Sequence, residues 1–482
     1  MLFNSYAFVF FLPTVFCLYW FVFGRNLKWQ NLFVVAASYV FYGWWDWRFL
    51  ALITVTSFFS WASGLLIARY RDDGRRSRWI SAANIIFNLS ILGLFKYHDF
   101  FVQSFANLFL GGRSDGLLLH LVLPVGISFY TFQALSYSID VYRGKIEPVK
   151  DIVQFFAYVS FFPQLVAGPI ERATNLLPQF GQKRTFDYAQ ATDGLRQMLW
   201  GFFKKIVIAD ECGRYVDQVF STWQHQPGSV LFLGIIFFAF QLYGDFSGYS
   251  DIAIGVAKLF GIRLMPNFKT PYFSRNVAEL WRRWHISLTT WFRDYVYIPL
   301  GGSRCSKAKT LRNTFVIFLL CGLWHGAEWS FVCWGAYNAL LFLPLILNGS
   351  NRHHLDTVAQ DSVLPSWKEL GQMTLTFVLF TLGLILFRSG SLGDAWHYFL
   401  GISKPGTYPF GDELLSLRQV YVQFGGILVM LIVEWFDRKS EHALTLRTIR
   451  SRALRWAVYC VLILAVLLFF DDGAAGFIYF QF

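Results

Sequence analysis

The chain has 482 residues, of which 55% are hydrophobic, 20% are aromatic and only 15% are charged, and its mean hydropathy is +0.42. This composition excludes an ordinary soluble globular domain and is typical of a polytopic membrane protein. The formal net charge is +12, but the basic residues cluster in loops beside apolar runs, as orientation signals do. We therefore expect no nucleic-acid partner.

Apolar runs near or above the roughly 20 residues needed to cross a bilayer recur along the whole sequence. They predict an all-α protein with about ten to twelve transmembrane helices. The first run, Leu2 to Phe23, has no basic start and no A-x-A cleavage site, so we interpret it as a retained span rather than a signal peptide. Arg25, Lys28 and the dense basic loop at 69–78 are expected on the cytoplasmic side.

The segment FFPQLVAGPIERATNLLPQF, residues 161–180, contains prolines at positions 163, 169 and 178. Proline lacks the backbone N–H of a helix interior and clashes with the preceding turn. Irregular backbone at membrane depth is tolerated only when it is buried in protein or lines a cavity. The sequence therefore predicts a re-entrant or interfacial element rather than one straight span.

Charged residues interrupt two apolar stretches farther along the chain. Lys204 and Lys205 lie within the run 195–208 and are expected to extend their ammonium groups to a membrane interface. Asp245 lies in the apolar segment 241–255. Because an intramembrane carboxylate is costly unless it is paired or faces a polar cavity, Asp245 is a candidate for a site or a polar network.

The segment from Asn276 to Ile298 is predicted to form one amphipathic helix that lies in a membrane interface. Asn276 and Glu279 have the spacing of an N-cap and its third helical residue. Tryptophans and aliphatic residues fall on one stripe of this helix, and His285 lies at the edge of the stripe. The imidazole of His285 either has no role on such a helix or belongs to a functional site. The basic loop 304–312 indicates that the region faces the cytoplasm.

His325 lies in the apolar run CGLWHGAEWSF, where a histidine must find polar partners or remain a neutral donor and acceptor in a cavity. Glu328 is close in sequence, but no other closely spaced His, Asp or Cys completes a set of metal ligands. The six cysteines show no C-x-x-C spacing. We therefore expect no metal, and His325 is either a structural or a catalytic residue.

Several motifs, in order along the chain, resemble those of the membrane-bound O-acyltransferase (MBOAT) family, in particular its bacterial members that take part in alginate O-acetylation. These motifs are ASYVFYGWW, LPVGISFYTFQALSYSIDVYRG, FPQLVAGPIE, GDFSGYSDIAIG, WRRWHISLTTWFRDYVYIPLGG, GLWHG and the terminal FIYFQF. They extend from near the start to the last residues. The resemblance therefore implies a single integral-membrane MBOAT domain over residues 1–482.

In such a fold, the resemblance implies a helical shell around a central tunnel that joins a cytoplasmic donor side to an acceptor side on the opposite face. Residues 272–331 would form the catalytic core segment. The family's catalytic histidine corresponds to His325, and its second histidine corresponds to His285. One departure is clear, because this chain has WGAYNA at residues 334–339 where the alginate proteins carry a His-Gly pair. Asn338 could still form a hydrogen bond there.

The expected chemistry suits these residues. Transfer of an acyl group from a thioester to a hydroxyl requires removal of the hydroxyl proton, and a neutral imidazole suits that role at physiological pH. We expect His325 to be this base, and His285 to line the entry or to orient the thioester. A donor such as acetyl-CoA would be a co-substrate rather than a permanently bound cofactor. A basic and aromatic cluster suits its phosphates and adenine, and consists of Trp281, Arg282, Arg283 and Trp284.

The resemblance implies an enzyme of the bacterial inner membrane that moves an acyl group, expected to be acetyl, from a cytoplasmic thioester across the membrane. The acceptor would be an extracytoplasmic polysaccharide such as alginate. Expected partners are membrane lipids, the donor and a periplasmic acyltransferase of the same acetylation complex. Two alternatives remain: a transporter or flippase, in which charged residues would pair along a path, and a noncatalytic scaffold of a polysaccharide-modifying complex.

Overall fold

A computed structural model describes residues 1–112, 114, 116–166, 168–404, 418–446, 449–471 and 476–478. These residues form helices and connecting segments, and no strand occurs among them. The predicted all-α fold is therefore confirmed. Residues 479–482 of the terminal FIYFQF motif lie outside the described part of the chain.

The helices are numbered here in chain order. Those of the first part of the chain are α1 (Tyr6–Cys17), α2 (Leu27–Gly43), α3 (Phe49–Arg69), α4 (Gly74–Leu92), α5 (His98–Phe109), α6 (Ile127–Tyr142), α7 (Ile152–Ser160), α8 (Phe162–Leu165), α9 (Ala173–Phe180), α10 (Tyr188–Phe202) and α11 (Glu211–Ser221). Those of the second part are α12 (Gly228–Leu259), α13 (Val277–Arg283), α14 (Ile286–Phe292), α15 (Lys307–His325), α16 (Trp329–Leu347), α17 (Trp367–Arg388), α18 (Leu392–Ser403), α19 (Arg418–Phe436) and α20 (Arg452–Phe469).

Wider π-helical turns continue several of these helices, at Leu18–Val22, Gly93–Tyr97, Phe203–Asp210 and Arg293–Tyr297. Short 3₁₀ turns occur at Trp223–His225, Pro271–Phe273 and Ser350–Arg352. The π-helical turn Phe203–Asp210 carries the two lysines that interrupt an apolar run of the sequence. Such turns are often found at functional or strained positions in helices.

Six helical stretches in the described residues are long and apolar enough to cross a membrane, and two shorter apolar helices accompany them. The multi-pass membrane protein predicted from the sequence is thus confirmed. The number of long helices is smaller than the ten to twelve expected, because some apolar runs fold into shorter helices. The run at 117–141, for example, yields only the 16-residue helix α6. The six stretches are Phe49–Arg69, Gly74–Phe109, Gly228–Leu259, Trp329–Leu347, Trp367–Arg388 and Arg452–Phe469.

The chain divides into two compact units. Met1–Leu195 and Ala253–Met265 form one, named here the N-terminal unit, and Arg196–Ile252 and Pro266–Phe482 form the other, named here the C-terminal unit. Both candidate histidines belong to the C-terminal unit.

The N-terminal unit has a neutral polar core between α3, α4 and α6. The side-chain amide of Asn84 donates to the hydroxyl of Ser138 at 2.6 Å, and the hydroxyl of Ser60 donates to the Asn84 side-chain oxygen at 3.2 Å. Asn88 donates to the same oxygen at 3.0 Å. Hydrogen bonds of this kind between helices satisfy polar groups that would find no hydrogen-bond partner in lipid.

The segment 161–180 is not one straight span, as its prolines predicted. It forms the short helices α8 and α9 with irregular backbone between them. The backbone N–H of Phe162 donates to the hydroxyl of Ser38 at 3.1 Å, and the buried carboxylate of Glu171 accepts from the backbone N–H of Met265. Hydrogen bonds of buried residues thus hold this segment inside the N-terminal unit.

The single amphipathic helix predicted for residues 276–298 is wrong. The Asn276 side chain does cap α13, since it accepts from the backbone N–H of Glu279 at 2.8 Å. The helix then breaks at Trp284, whose backbone is extended, and at His285, whose backbone is left-handed with φ 43° and ψ 54°. The helical periodicity of the sequence did not reveal this break, because the segments before Trp284 and after His285 are both helical.

Candidate active site

A helical hairpin presents His325. It is the last residue of α15, and α16 begins at Trp329. The two helices pack closely because Gly322 and Gly335 have no side chains: a Cβ atom at either position would collide with a backbone carbonyl of the opposite helix. The glycines therefore fix the position of the histidine at the tip of the hairpin.

The imidazole of His325 lies among aromatic rings. Its side chain is buried, with 3% of the residue exposed. The ring centroid lies 5.1 Å from that of Trp334 and 5.3 Å from that of Phe387, both edge-on, and 4.8 Å from that of Trp324. Exclusion of water from such a site strengthens the electrostatic interactions that assist a proton transfer.

His285 is also buried, with 1% of the residue exposed. The ring meets that of Phe246 edge-on at 4.6 Å. The residue lies outside the helices that are long enough to cross the membrane. Burial lowers its pKa to about 3, because removal from water disfavours the charged form. The imidazole of His285 is therefore neutral at physiological pH.

The backbone at His285 is strained, and its neighbours hold it in place. A left-handed conformation costs a non-glycine residue about 1–2 kcal/mol. The backbone carbonyl of Asn267 accepts from the N–H of Ile286 at 2.8 Å, and the Asn267 side-chain oxygen accepts from the hydroxyl of Ser287 at 2.9 Å. Strain held by surrounding structure is characteristic of functional sites.

The indole of Trp324 joins the two histidines. Its ring centroid lies 5.5 Å from that of His285 and 4.8 Å from that of His325. The sequence suggested very different surroundings for the two rings, one interfacial and one inside the bilayer. The structure instead places both in one buried aromatic cluster.

A pocket of about 810 Å³ lies beside this cluster in the C-terminal unit. Four arginines line it, and we name it the arginine pocket. Its apolar wall includes Trp281, Phe318 and Cys321. The Trp281 ring contacts that of Trp334 at 5.7 Å, and Trp334 contacts His325 at 5.1 Å. Two aromatic contacts thus connect the pocket wall to His325. The arginines are Arg282, Arg293, Arg304 and Arg352.

The structure separates the four predicted donor-binding residues. Trp281 and Arg282 line the arginine pocket. Arg283 instead forms an ion pair with the buried carboxylate of Glu279 at 2.9 Å. Trp284 packs against the ring of Phe380 at 5.0 Å. Arg282 also donates to the backbone carbonyls of Asn351, His353 and His354, which fixes the loop above the pocket.

Sequence reasoning did not identify three of the pocket arginines. Arg293, Arg304 and Arg352 come from three separate segments that only the fold brings to one pocket. The sequence gave a partial signal, because the basic loop 304–312 was noted for its orientation. A ligand-binding role cannot be separated from an orientation role by composition alone.

Lys204 and Lys205 do not extend to an interface, and this prediction is wrong. Each is 2% exposed. Lys204 pairs with Asp251 at 2.6 Å, and Lys205 pairs with Asp245 at 2.7 Å. Carboxylates on α12 and in the π-helical turn Phe203–Asp210 thus compensate the two lysine charges inside the C-terminal unit. Lipid provides no such counter-charge. We name this group the lysine network; it consists of Lys204, Lys205, Asp210, Asp245, Asp251 and Glu434.

Glu434 is a member of the lysine network that sequence reasoning missed. It lies in the apolar run of α19, 3.9 Å from Lys204. The hydroxyl of Tyr243 donates to its carboxylate at 2.8 Å. The same rule that singled out Asp245, a carboxylate within an apolar run, would have found it.

The remaining predicted residue, Asn338, is buried in α16. Its side-chain amide donates to the backbone carbonyl of Trp334, one turn earlier, at 2.8 Å. Trp334 is also the residue whose indole contacts His325. Among the described residues, no group of three or more His, Cys, Asp or Glu side chains is arranged to hold a metal ion.

Comparison with known proteins identifies the class to which this site belongs. The profile of the membrane-bound O-acyltransferase family matches residues 149–348, which include both histidines and the hairpin. The chain belongs to this family, and it is an O-acyltransferase.

Individual relatives extend the match beyond this segment. The probable alginate O-acetylase AlgI of Pseudomonas aeruginosa is 37% identical, over 94% of this chain and 84% of its own length. The peptidoglycan O-acetyltransferase of Helicobacter pylori is 30% identical, over 100% of this chain and 98% of its own. The teichoic acid D-alanyltransferase of Bacillus subtilis is 28% identical, over 46% of this chain and 58% of its own.

Proposed function

We propose that this enzyme takes an acetyl group from acetyl-CoA on the cytoplasmic side of a bacterial inner membrane and moves it outward. The final acceptor is an extracytoplasmic polysaccharide such as alginate. The relatives support a polymer acceptor, since their names refer to alginate, peptidoglycan and teichoic acid. Residues 1–482 act as one integral-membrane domain, with 272–331 as its catalytic core segment.

The arginine pocket is the observation that carries this proposal. Guanidinium groups bind phosphate oxygens in a planar, bidentate manner, and tryptophan rings stack on adenine. Arg282, Arg293, Arg304 and Arg352 therefore suit the phosphates of coenzyme A. Trp281 in the pocket wall contacts Trp334, which contacts His325, so a donor bound in the pocket would lie two aromatic contacts from the proposed base.

The reaction follows from this placement. A hydroxyl oxygen attacks the thioester carbonyl carbon while the imidazole of His325 accepts the hydroxyl proton. The C–S bond breaks, and the proton passes from the imidazolium to the departing thiolate. The products are an ester and the free thiol of coenzyme A. His285, which is neutral and shares Trp324 with His325, orients the thioester.

A periplasmic acyltransferase accepts the acetyl group and delivers it to the polymer. The described connecting segments between helices are short; the one between α16 and α17, residues 348–366, has fewer than 20 residues. Segments of this length provide no polymer-binding domain or long polysaccharide groove. The membrane lipids and the donor are the other partners of the enzyme.

The test is reconstitution of the purified protein in liposomes with radiolabelled acetyl-CoA, free polysaccharide and, in a second set, the periplasmic partner. We expect poor acetylation of the polymer by the membrane protein alone and a large increase with the partner. A His397→Ala variant, which removes an exposed histidine of α18, is the matched control for His325→Ala.

Each outcome is decisive for one part of the proposal. Full acetylation by His325→Ala would overturn the catalytic assignment. Efficient acetylation of the polymer without the partner would overturn the transfer to a second enzyme and indicate direct transfer at His325. Movement of an intact sugar or lipid without acetyl transfer would support a transporter instead.

A further inference from the structure

Two buried indole N–H groups near His325 have no hydrogen-bond acceptor among the described residues. They belong to Trp281 and Trp334, which are 5% and 2% exposed. Proteins pair nearly all of their buried polar groups, because an N–H removed from water without an acceptor costs free energy. A group that stays unpaired therefore needs an explanation, and a ligand that supplies the acceptor is one.

Other tryptophans of the chain show what a purely structural indole N–H does. Trp20 donates to the backbone carbonyl of Leu259 at 3.0 Å, and Trp61 donates to that of Val149 at 2.9 Å. Each of these bonds joins two segments that are distant in sequence. The indole N–H groups of Trp281 and Trp334 make no such connection within the described structure.

The two unpaired groups lie in succession between the arginine pocket and the proposed base. Trp281 lines the pocket, and its ring centroid lies 5.7 Å from that of Trp334. The Trp334 centroid lies 5.1 Å from that of His325, and Phe387 contacts both rings, at 5.2 and 5.3 Å. Trp334 is thus the nearer of the two to the base. A hydrogen bond in these apolar surroundings is electrostatically stronger than one in water.

The backbone at Trp334 is held in place from two directions. Its carbonyl accepts from the side-chain amide of Asn338 at 2.8 Å. The next residue, Gly335, packs so closely on α15 that a Cβ atom there would lie 2.3 Å from the carbonyl oxygen of Phe318. A donor whose position is fixed before the reaction does not have to reorganise when charge develops beside it.

We propose that Trp334 is a further catalytic residue, whose indole N–H donates to the carbonyl oxygen of the bound thioester. When the acceptor hydroxyl attacks the carbonyl carbon, the C=O π electrons move to the oxygen, and the hydroxyl proton passes to His325. The N–H stabilises this oxyanion. The C=O bond then re-forms, the C–S bond breaks, and the proton passes from the imidazolium to the thiolate. The indole keeps its own proton throughout.

The indole N–H of Trp281, in the pocket wall, donates to an amide carbonyl farther along the same donor. This assignment and that of Trp334 rest on the proposed function, because both require a thioester donor in the arginine pocket. They differ in their kinetic effect. Loss of a contact that is equal in the ground state and the transition state raises KM, whereas loss of one that strengthens in the transition state lowers kcat.

The test removes the N–H of Trp334 in two ways. Trp334→Phe keeps an aromatic ring, and replacement of Trp334 by benzothienylalanine keeps the shape of the indole with sulfur in place of the N–H. We expect both to lower kcat by roughly 10²- to 10³-fold, the effect of removing one oxyanion donor. The KM for acetyl-CoA should change by less than about twofold. Trp61→Phe, which removes a paired indole N–H of the N-terminal unit, is the matched control and should leave both constants unchanged.

Infrared spectroscopy measures the hydrogen bond without turnover. Acetyl-CoA with an isotope-labelled carbonyl is bound to the protein in the absence of acceptor. A hydrogen bond to the carbonyl oxygen weakens the C=O bond, so the labelled band should lie at lower frequency in the wild-type complex than in free acetyl-CoA. In both Trp334 variants it should return toward the value of the free donor. A residue that only packs against its neighbours would not shift this band.

The outcomes distinguish this proposal from the one on which it rests. An unchanged kcat and an unshifted band in the benzothienylalanine protein overturn the role of the N–H, and Trp334 is then a packing residue. Activity lost in Trp334→Phe but kept with benzothienylalanine overturns it equally, since only the shape of the ring then matters. If His325→Ala is inactive while both Trp334 variants are fully active, the oxyanion role alone is wrong. If His325→Ala is fully active, the proposed function is wrong first.

Discussion

The arginine pocket and the lysine network both gather basic side chains in the C-terminal unit, but they use the charges differently. In the lysine network, each ammonium group lies within 3 Å of a carboxylate, as in the Lys204–Asp251 distance of 2.6 Å and the Lys205–Asp245 distance of 2.7 Å. In the arginine pocket, four guanidinium groups line an open volume of about 810 Å³. The first arrangement compensates charge within the protein, whereas in the second the guanidinium groups border an open cavity, although Arg293 also pairs with Asp294 at 2.8 Å.

This difference shows that composition alone does not reveal what a basic residue does in a membrane protein. A buried cation is tolerated only with its counter-charge, so its contribution is to the fold. A cation at the wall of a pocket keeps its capacity to bind an anion. Variants of the two regions should therefore fail in different ways, those of the arginine pocket in donor binding and those of the lysine network in folding.

The largest effect is expected at His325. His325→Ala should abolish polymer acetylation while expression and membrane insertion remain intact, because the ring is the proposed base and the glycine-packed hairpin does not depend on it. Removal of a general base typically costs about 10²–10⁴-fold in rate. Acetyl transfer from labelled acetyl-CoA, set against the amount of protein in the membrane, measures this. Wild-type rates in that variant would contradict it.

Next in size is the loss of folding expected on substitution in the lysine network. Lys205→Met would leave Asp210 and Asp245 uncompensated in the interior, where Lys205 pairs with them at 2.8 and 2.7 Å. Breaking a buried pair by removing one partner costs about 3–5 kcal/mol. We expect a marked decrease in the thermal stability of the detergent-solubilised protein.

The matched control for this substitution is Lys28→Met, at an exposed residue near the start of α2. It should melt as the wild-type protein does. Equal melting temperatures for Lys205→Met and the wild type would show that the pair contributes nothing to the fold, and the contrast with the arginine pocket would then be lost.

The sequence predicted the class of fold more fully than the surroundings of the two candidate histidines. Hydrophobic runs predict helices because lipid requires internal hydrogen bonds, and the motif around His325 is local. The burial of His285 was not predictable, because the residues that follow it, Ile286 and Ser287, are held by Asn267, which lies in a different segment. The pairing of Lys205 depends likewise on Asp245, which is distant in sequence.

A smaller effect is expected within the arginine pocket. Arg304→Ala should raise the KM for acetyl-CoA by about tenfold, because one hydrogen bond to a charged group contributes about 1.5 kcal/mol. The kcat should stay near the wild-type value, since Arg304 lines the pocket and His325 is not among the described residues that line it. Arg25→Ala, at an exposed loop of the N-terminal unit, is the control and should leave both constants unchanged. A fall in kcat with constant KM would remove the pocket as the donor site.

The Ser303→Cys substitution is expected to have the smallest effect on activity. Labelling of the new cysteine shows on which side of the membrane the arginine pocket opens. Ser303 lines the arginine pocket, and its hydroxyl accepts from Arg352 at 2.7 Å. If the pocket binds a cytoplasmic donor, a membrane-impermeant thiol reagent should label this cysteine in inverted vesicles and not in intact spheroplasts. The labelling of the unsubstituted protein, which has exposed cysteines at 17 and 460, must be subtracted. Acetyl-CoA should slow the labelling, because a bound donor would occupy the same pocket. Labelling from the periplasmic side would instead place the four arginines on the acceptor face, where they could not collect a cytoplasmic thioester.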